Sequence, residues 1–159
     1  MPSRRKSRRH ALQILFQLDL TPQPVEEAIR AFYESLYSEL ENGPPPPADQ
    51  FVEKLVRGVQ QRREEIDALI ARHAHNWRLE RMPVVDRNVM RLAVFEMMAL
   101  RSAPAVAINE ALELARRFSG EESVPFINGV LDAIRRELEE SGLLAPARAR
   151  PAGRSQKTA

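Results

Sequence analysis

Apolar residues recur at intervals of three and four along nearly the whole chain, and this spacing limits the possible folds. No stretch alternates apolar and polar residues with the two-residue period of a half-buried strand, and no internal repeat is visible. Two of the stripes comprise Ala11, Ile14, Leu15 and Leu18, and Ile127, Val130, Leu131, Ile134 and Leu138. The sequence therefore predicts an all-α protein.

Prolines, glycines and capping residues divide this pattern into separate helices. The first predicted helices cover about Ser7 to Leu20, roughly Val25 to Glu41, and Asp49 to Ala74 as two helices that meet near Gly58 to Arg62. Gly58 contributes to the last break, because glycine lowers helix stability. Between these helices, residues 42–48 contain four consecutive prolines, which favour an extended polyproline spacer.

The stretch from Val89 to Leu100 is apolar on nearly every side, which is typical of a helix surrounded by other helices. We predict that it is the central core helix and that Asp86 is its N-cap. Gly120 is expected to cap the C-terminus of the helix that follows. The last helix is predicted to run from about Ser123, explained as a capping residue, to Ser141 and Gly142.

The net charge of +2 conceals a segregated distribution. Residues 1–10 carry five cations and residues 148–159 carry four, while all 22 acidic residues lie between these two ends. Two basic ends on an acidic body indicate a polyanion bound at one place and a basic protein at another. The predicted folded domain is residues 1–144, and residues 145–159 are predicted to be a disordered basic tail.

Several classes of protein are excluded by composition. The chain has no cysteine, which excludes a disulfide scaffold, a Cys-ligated metal and a thiol nucleophile. His73 and His75 point to different sides of a helix, and no phosphate-binding glycine loop or nucleophile elbow is present. No apolar segment is long enough to span a bilayer, and no signal peptide is visible. We expect a cytoplasmic protein with no metal, cofactor or catalytic centre.

Two aromatic residues lie off the apolar stripes of their helices. Arg9, Leu12 and Phe16 share a flank of the first helix, away from its core stripe. Phe126 lies off the stripe in the first turn of the last helix, where free N–H groups favour anions. Such aromatics suit base stacking, although packing on a neighbouring helix explains each equally well. Gly129, in the middle of the last helix, predicts a close approach by another group.

Three motifs in fixed order make the chain similar to a known family. They are the string DRNVMRLAVFE from Asp86 to Glu96, the string VAINEA from Val106 to Ala111 followed by ELA, and the string FINGVLD from Phe126 to Asp132. The basic N-terminus, followed by the string ALQ and the pair Leu15-Phe16, fits the same pattern. Over about residues 4–138, the chain resembles the NusB family of bacterial transcription antitermination factors.

The resemblance implies an all-α fold of about seven helices in two packed sub-bundles and a non-enzymatic role. Members of the family bind the single-stranded boxA RNA of ribosomal RNA operons as a heterodimer with the ribosomal protein NusE. They act in the transcription elongation complex with other Nus factors. Monomers and dimers both occur in the family, so a homodimer that would cover the basic arm stays open.

The resemblance also implies roles for individual residues of this chain. The RNA-binding positions are Arg4, Arg5, Lys6, Arg8 and Arg9 in the basic arm, Phe16 where Tyr is usual, Phe126 and Glu122. The positions expected to contact NusE are Glu80, Asp86 and Glu122. Asn109 and Glu110 are expected to form a buried network with Arg91, since a charge beside so apolar a helix must be paired.

Two alternative functions stay open at this point. NusB-like domains also occur in front of ribosomal RNA cytosine methyltransferases, an alternative weakened by the lack of a methyltransferase domain here. The other alternative is a protein-interaction scaffold that has lost its affinity for RNA. Binding of boxA-like RNA, with and without the ribosomal partner, distinguishes these functions.

Overall fold

The computed structural model describes residues 3–39, 49–75, 77–100 and 102–145, with the side chains of residues 37–39 excepted. The helices are α1 (Arg4–Leu20), α2 (Val25–Glu39), α3 (Gln50–Gln61), α4 (Arg63–His73), α5 (Val84–Ala99), α6 (Pro104–Phe118) and α7 (Val124–Glu140). Single turns of 3-10 helix cover Leu79–Arg81 and Glu121–Ser123. The described residues contain no strand, and the predicted all-α fold of seven helices is confirmed.

Helix α5 lies at the centre of the molecule. Its side chains from Asn88 to Met98 are all buried, as the apolar sequence of this helix predicted. It packs against α1 and α3 and also against α4, α6 and α7. Because α2 packs on α1 and α3, while α7 packs on α4 and α6, the helices form the two expected sub-bundles, which share α5.

Two helices begin earlier than the sequence predicted. Helix α1 begins at Arg4 because the side chain of Ser3 accepts a hydrogen bond of 3.0 Å from the Lys6 N–H. Ser7, the predicted start, is buried and donates to the Asp49 carboxylate at 2.6 Å. Helix α5 begins at Val84, so the prediction that Asp86 is its N-cap was wrong: Asp86 lies inside the first turn.

The glycines at two predicted boundaries have different roles. Helices α3 and α4 meet at Arg62, within the predicted range, but Gly58 lies inside α3. A Cβ atom at Gly58 would lie 2.0 Å from Cζ of Phe95, so close helix packing explains this glycine. Gly120 has a φ of +144°, and its N–H bonds to the Ala115 carbonyl at 2.8 Å, which confirms the predicted cap of α6.

Some predictions concern residues that the structure does not describe. The proline spacer at 42–48, the last residues predicted for the second helix, and residues 146–159 of the predicted basic tail lie outside the described residues. Ala145, the first residue of that tail, donates its N–H to the Met97 carbonyl at 2.9 Å. None of the helices in the described ranges is both long and apolar enough to cross a membrane.

Candidate nucleic-acid interface

The five cations of the N-terminal arm lie in unequal environments. Arg8 is only 6% exposed, and its guanidinium donates two hydrogen bonds of 2.7 Å to the Glu96 carboxylate. Arg5 is exposed, and it donates two hydrogen bonds of 3.1 and 2.9 Å to Glu110. Arg8 was predicted to contact RNA phosphate with the rest of the arm, but its side chain instead neutralises a buried acid of the central helix.

The other three cations of the arm are available to a ligand. Within the described part of the chain, Arg4, Lys6 and Arg9 form no ion pair with an acidic residue. The guanidinium of Arg4 lies 3.9 Å from the centre of the Phe51 ring, a cation–π contact. All three lie in the first two turns of α1, where the helix dipole disfavours cations unless an anion binds.

A cavity opens beside Arg4, and its lining includes a basic side chain that sequence reasoning missed. The cavity has a volume of about 480 Å³, and Arg4, Phe51, Lys54, Leu100 and Ser102 contribute to its lining. Lys54 is an exposed residue of α3, about fifty residues from Arg4 in the sequence. No motif contains it, and only the packing of α3 against α1 reveals its proximity to the arm.

Phe16 and its flank of α1 are partly covered by neighbouring helices, which is the packing alternative that the sequence left open. Leu12, assigned to this flank, is only 2% exposed and belongs to the hydrophobic core. Phe16 and Arg9 are half-buried. Helix α2 packs on α1 in addition to α3 and α5, and this extra neighbour explains why residues outside the predicted stripe are covered.

Phe126 lies in the first turn of α7, as the sequence predicted, and it is half-buried. Its ring meets Trp77 edge to face, with centroids 6.0 Å apart. Trp77 is 54% exposed, and sequence reasoning did not select it. Its signal was available: it is the single tryptophan of the chain and belongs to no apolar stripe. The arm and Phe126 lie in different sub-bundles, on helices α1 and α7.

Gly129 follows Phe126 by one turn of α7 and is exposed. Apart from the adjacent residues and the backbone of its own helix turn, a Cβ atom at this position would have no described atom within 4 Å. The close approach predicted for Gly129 is therefore not made by the surrounding protein in the described ranges.

The three residues expected at the protein partner differ in exposure. Glu80 and Glu122 are exposed on the two 3-10 turns. Asp86 is only 4% exposed, and its Oδ2 accepts a hydrogen bond of 3.0 Å from Ser123. The capping role expected for Ser123 was wrong, because its hydroxyl joins the start of α5 to the turn before α7.

The acidic partners of Arg91 also differ from the prediction. Arg91 is 3% exposed and is paired, as expected, but its partners are Asp67 at 2.7 Å and Asp19 at 3.0 Å. The predicted network with Asn109 and Glu110 was wrong, because Asn109 is exposed and the Glu110 carboxylate accepts a hydrogen bond from Arg5 instead. The hydrogen bond from Arg5, and then the charges of Arg5 and Arg8, lower the pKa of Glu110 despite its partial burial.

The histidines give no indication of a metal site. Nε2 of His73 lies 2.6 Å from the Glu137 carboxylate, while His75 is exposed. Across the described ranges, no group of three or more histidine, aspartate or glutamate side chains is arranged to hold a metal ion.

Comparison with known proteins identifies the family. The model of the NusB family matches residues 5–136. The transcription antitermination protein NusB of Solibacter usitatus (strain Ellin6076) is 56% identical over 140 residues, which cover 88% of this chain and 93% of that protein. The protein of the same name from Bacillus subtilis (strain 168) is 40% identical over 139 residues, or 87% of this chain and 98% of that protein.

Solved structures agree with this result. T. maritima NusB superimposes with a TM-score of 0.71 at 33% identity, covering 86% of this chain and 92% of that one. A crystal structure of the antitermination factors NusB and NusE in complex with dsRNA matches with a TM-score of 0.70 at 29% identity, covering 84% and 96%. Since the family model spans most of the chain and relatives share its sequence over nearly their full length, this protein belongs to the NusB family of transcription antitermination factors.

Proposed function

We propose that this protein binds single-stranded boxA-type RNA of ribosomal RNA operons together with the ribosomal protein NusE. In this role it would act in the cytoplasm, within an elongation complex that contains other Nus factors. One observation carries the proposal: three cations in the first two turns of α1 have no acidic partner among the described residues, and one of them, Arg4, lines an open cavity. The structural likeness to NusB solved with NusE and dsRNA supports the same class of ligands.

The basic arm supplies the contacts to phosphate. Arg4, Lys6 and Arg9 are the binding cations, and Lys54 extends their surface across the cavity onto α3. Each phosphate neutralised releases counterions and adds to the salt dependence of binding. Arg5 has a second role in this proposal: it can exchange Glu110 for a phosphate, since its side chain is 68% exposed. Arg8 supports the arm from the core through Glu96.

The aromatic residues supply contacts to bases. Phe126 has a partly exposed ring at the positive end of α7, and Phe16 is half-buried on α1. Unpaired bases stack on such rings, and each stack contributes roughly 1–3 kcal/mol. Because Phe16 has no hydroxyl, its contribution is limited to stacking and apolar contact.

The partner surface is acidic. Glu80 and Glu122 are exposed on the two 3-10 turns, and they would attract a basic ribosomal protein and orient it. Asp86 acts behind this surface, where its hydrogen bond from Ser123 holds the turn that carries Glu122. Glu122 thus lies between the protein partner and the RNA-binding end of α7 in this proposal.

The test measures RNA affinity against salt concentration, with a boxA-like single strand and with or without the ribosomal partner. Three neutralised phosphates give a slope of log affinity against log salt of about −2 for a single strand. The triple variant Arg4→Gln, Lys6→Gln, Arg9→Gln should bind weakly with a slope closer to zero. Arg136→Gln removes an exposed cation from the far end of α7 and should leave the slope unchanged.

Two results would contradict the proposal. An unchanged slope in the triple variant would remove the arm from RNA binding. If the wild-type protein bound the ribosomal partner but no RNA under any condition, the scaffold alternative would be correct. The oligomeric state is measured in the same buffers, because a homodimer covering the arm would also weaken RNA binding.

A further inference from the structure

One strongly basic segment of the chain has no role in the function proposed above. Residues 146–159 contain four cations and no acid, and all 22 acidic residues of the chain precede them. We call these cations, Arg148, Arg150, Arg154 and Lys157, the tail cations. The described residues before this segment show which surface the tail cations are attached to.

The backbone after α7 turns toward the end of α5. Gly142 has a φ of +71°, and the N–H groups of Gly142 and Leu143 bond to carbonyls of the last turn of α7 at 3.2 and 2.9 Å. These two bonds form a Schellman motif, in which a glycine ends a helix. Leu144 packs against the hydrophobic core, and Ala145 donates its N–H to the Met97 carbonyl at 2.9 Å. The tail cations are thus attached beside the last turn of α5.

The end of α5 contributes to the same cavity as the start of the basic arm. Ala99 and Leu100 line this cavity together with Arg4 and Lys54. The carbonyl that accepts the hydrogen bond from Ala145 belongs to the residue two positions before Ala99. The two basic segments of the sequence are therefore attached close to each other, although the whole folded domain separates them in the sequence.

The length of the connecting chain places two of the tail cations within reach of a ligand in the cavity. Arg148 and Arg150 follow Ala145 by three and five residues. A fully extended chain covers at most about 3.6 Å per residue, so these connections span at most about 11 and 18 Å.

The charges around the cavity favour an anion shared by the two basic segments. Arg4 and Lys54 form no ion pair in the described ranges. The acids that contact the cations of the arm, Glu96 and Glu110, are both paired with arginines of α1. The cavity therefore has no free acid to attract the tail cations, whereas a polyanion bound across it attracts both groups of cations.

We propose that the tail cations bind phosphates of the same RNA strand that the basic arm binds, and that the strand crosses the cavity between the two basic segments. Arg148 and Arg150 supply the contacts nearest to the cavity. Because the arm already holds the strand, the tail cations meet its phosphates at a high effective concentration. This inference rests on the proposed RNA-binding function and adds a second phosphate-binding segment to it.

The decisive protein is a tail variant of the full chain, which combines Arg148→Gln, Arg150→Gln, Arg154→Gln and Lys157→Gln. Each phosphate neutralised on a single strand adds about −0.7 to the slope of log affinity against log salt. The slope of the tail variant should therefore be shallower than that of wild type by about 2.8, and that of Arg148→Gln, Arg150→Gln by about 1.4. At low salt, the tail variant should bind boxA-like RNA at least about tenfold more weakly.

The matched control keeps the charges and changes the side chains. The combination Arg148→Lys, Arg150→Lys, Arg154→Lys should retain the wild-type slope, because counterion release depends on the number of phosphates neutralised. All of these variants should unfold at the wild-type urea midpoint, since none of the changed residues belongs to the hydrophobic core.

A second readout tests whether the tail lies on the bound RNA. The chain has no cysteine, so Ala147→Cys introduces a single site for a photoreactive label. Illumination should cross-link this label to boxA-like RNA, and the triple arm variant should abolish the cross-link. The same label on Glu64→Cys should not react, because the length of α3, about 18 Å, separates the start of α4 from the cavity.

The outcomes separate this inference from the proposed function. If the tail variant keeps the wild-type affinity and slope while the triple arm variant loses both, the inference fails but RNA binding stands. A tail variant that binds RNA more tightly than wild type would show that the tail competes with RNA, which also overturns the inference. A loss of affinity for the ribosomal partner alone would assign the tail cations to a protein instead. If wild-type protein binds no RNA, both proposals fail.

Discussion

Arg5 and Arg8 are three residues apart on α1, but their surroundings assign them different roles. Arg5 reaches Glu110 at the surface, where water screens the pair and limits its stabilising effect. Arg8 reaches Glu96 inside the protein, where both side chains are at least 92% buried. A buried ion pair contributes little net stability as a unit, but losing one partner leaves the other charge uncompensated.

Arg8→Met should therefore destabilise the protein by about 3–5 kcal/mol, because it leaves the Glu96 carboxylate buried without its cation. Urea unfolding at neutral pH measures this loss. Arg5→Met should leave the unfolding midpoint nearly unchanged. The double variant Arg8→Met, Glu96→Met should recover most of the stability; if Arg8→Met alone is as stable as wild type, the buried pair does not exist in solution.

The packing of α3 against α5 depends on Gly58. Without a side chain at this position, the ring of Phe95 fills the space beside the backbone of α3. Helix propensity alone disfavours glycine at position 58, so the sequence predicts a weak point in the helix. In the structure, Gly58 is buried inside a continuous helix. Close contact between two helices thus overrides local preference.

Gly58→Ala should lower the free energy of unfolding by about 2 kcal/mol, because the overlap of the new methyl group with Phe95 destabilises the protein more than the improved helix propensity stabilises it. The measurement is urea unfolding, in parallel with Gly129→Ala, which should change stability in the opposite direction. Adding Phe95→Leu to Gly58→Ala should remove the additional penalty by making room. A stabilised Gly58→Ala protein would contradict this account of the α3–α5 contact.

The two sub-bundles are joined by a polar network around Asp19 at the end of α1. Asp19 pairs with Arg63 of α4 and with Arg87 and Arg91 of α5, and it accepts a hydrogen bond from Asn88. Burial alone would raise the pKa of Asp19, but hydrogen bonds from Arg87 and Asn88 and the charges of both α5 arginines lower it to about 2.

This pKa predicts how the stability of the whole molecule changes in acid. The folded-state pKa lies below the ordinary value of 3.8, so the contribution of Asp19 is complete above that pH and is lost as the pH falls through 2. We expect a loss of about 2 kcal/mol from this group. Urea unfolding between pH 5 and pH 2 measures it.

The matched variants for this prediction are Asp19→Asn and Glu140→Gln. Asp19→Asn should be less stable than wild type at neutral pH, and its stability should fall less steeply between pH 4 and pH 2. Glu140→Gln removes an exposed acid at the end of α7 and should retain the wild-type pH dependence. An equal acid slope in all three proteins would show that Asp19 does not hold the sub-bundles together.

The sequence by itself determined the all-α class, the central position of α5, most helix ends and, through three motifs, the family. These features depend on spacing and turn chemistry within a few residues, which the local sequence contains. Only the tertiary structure decided which arginines are free, which acids hold Arg91, and why Gly58 is a glycine. Arg8 and Glu96 are 88 residues apart, and their pairing depends on how α1 packs against α5. Side chains on the same face of one helix thus contact different neighbours. These contacts determine which charges are paired in the core and which are available to bind a ligand.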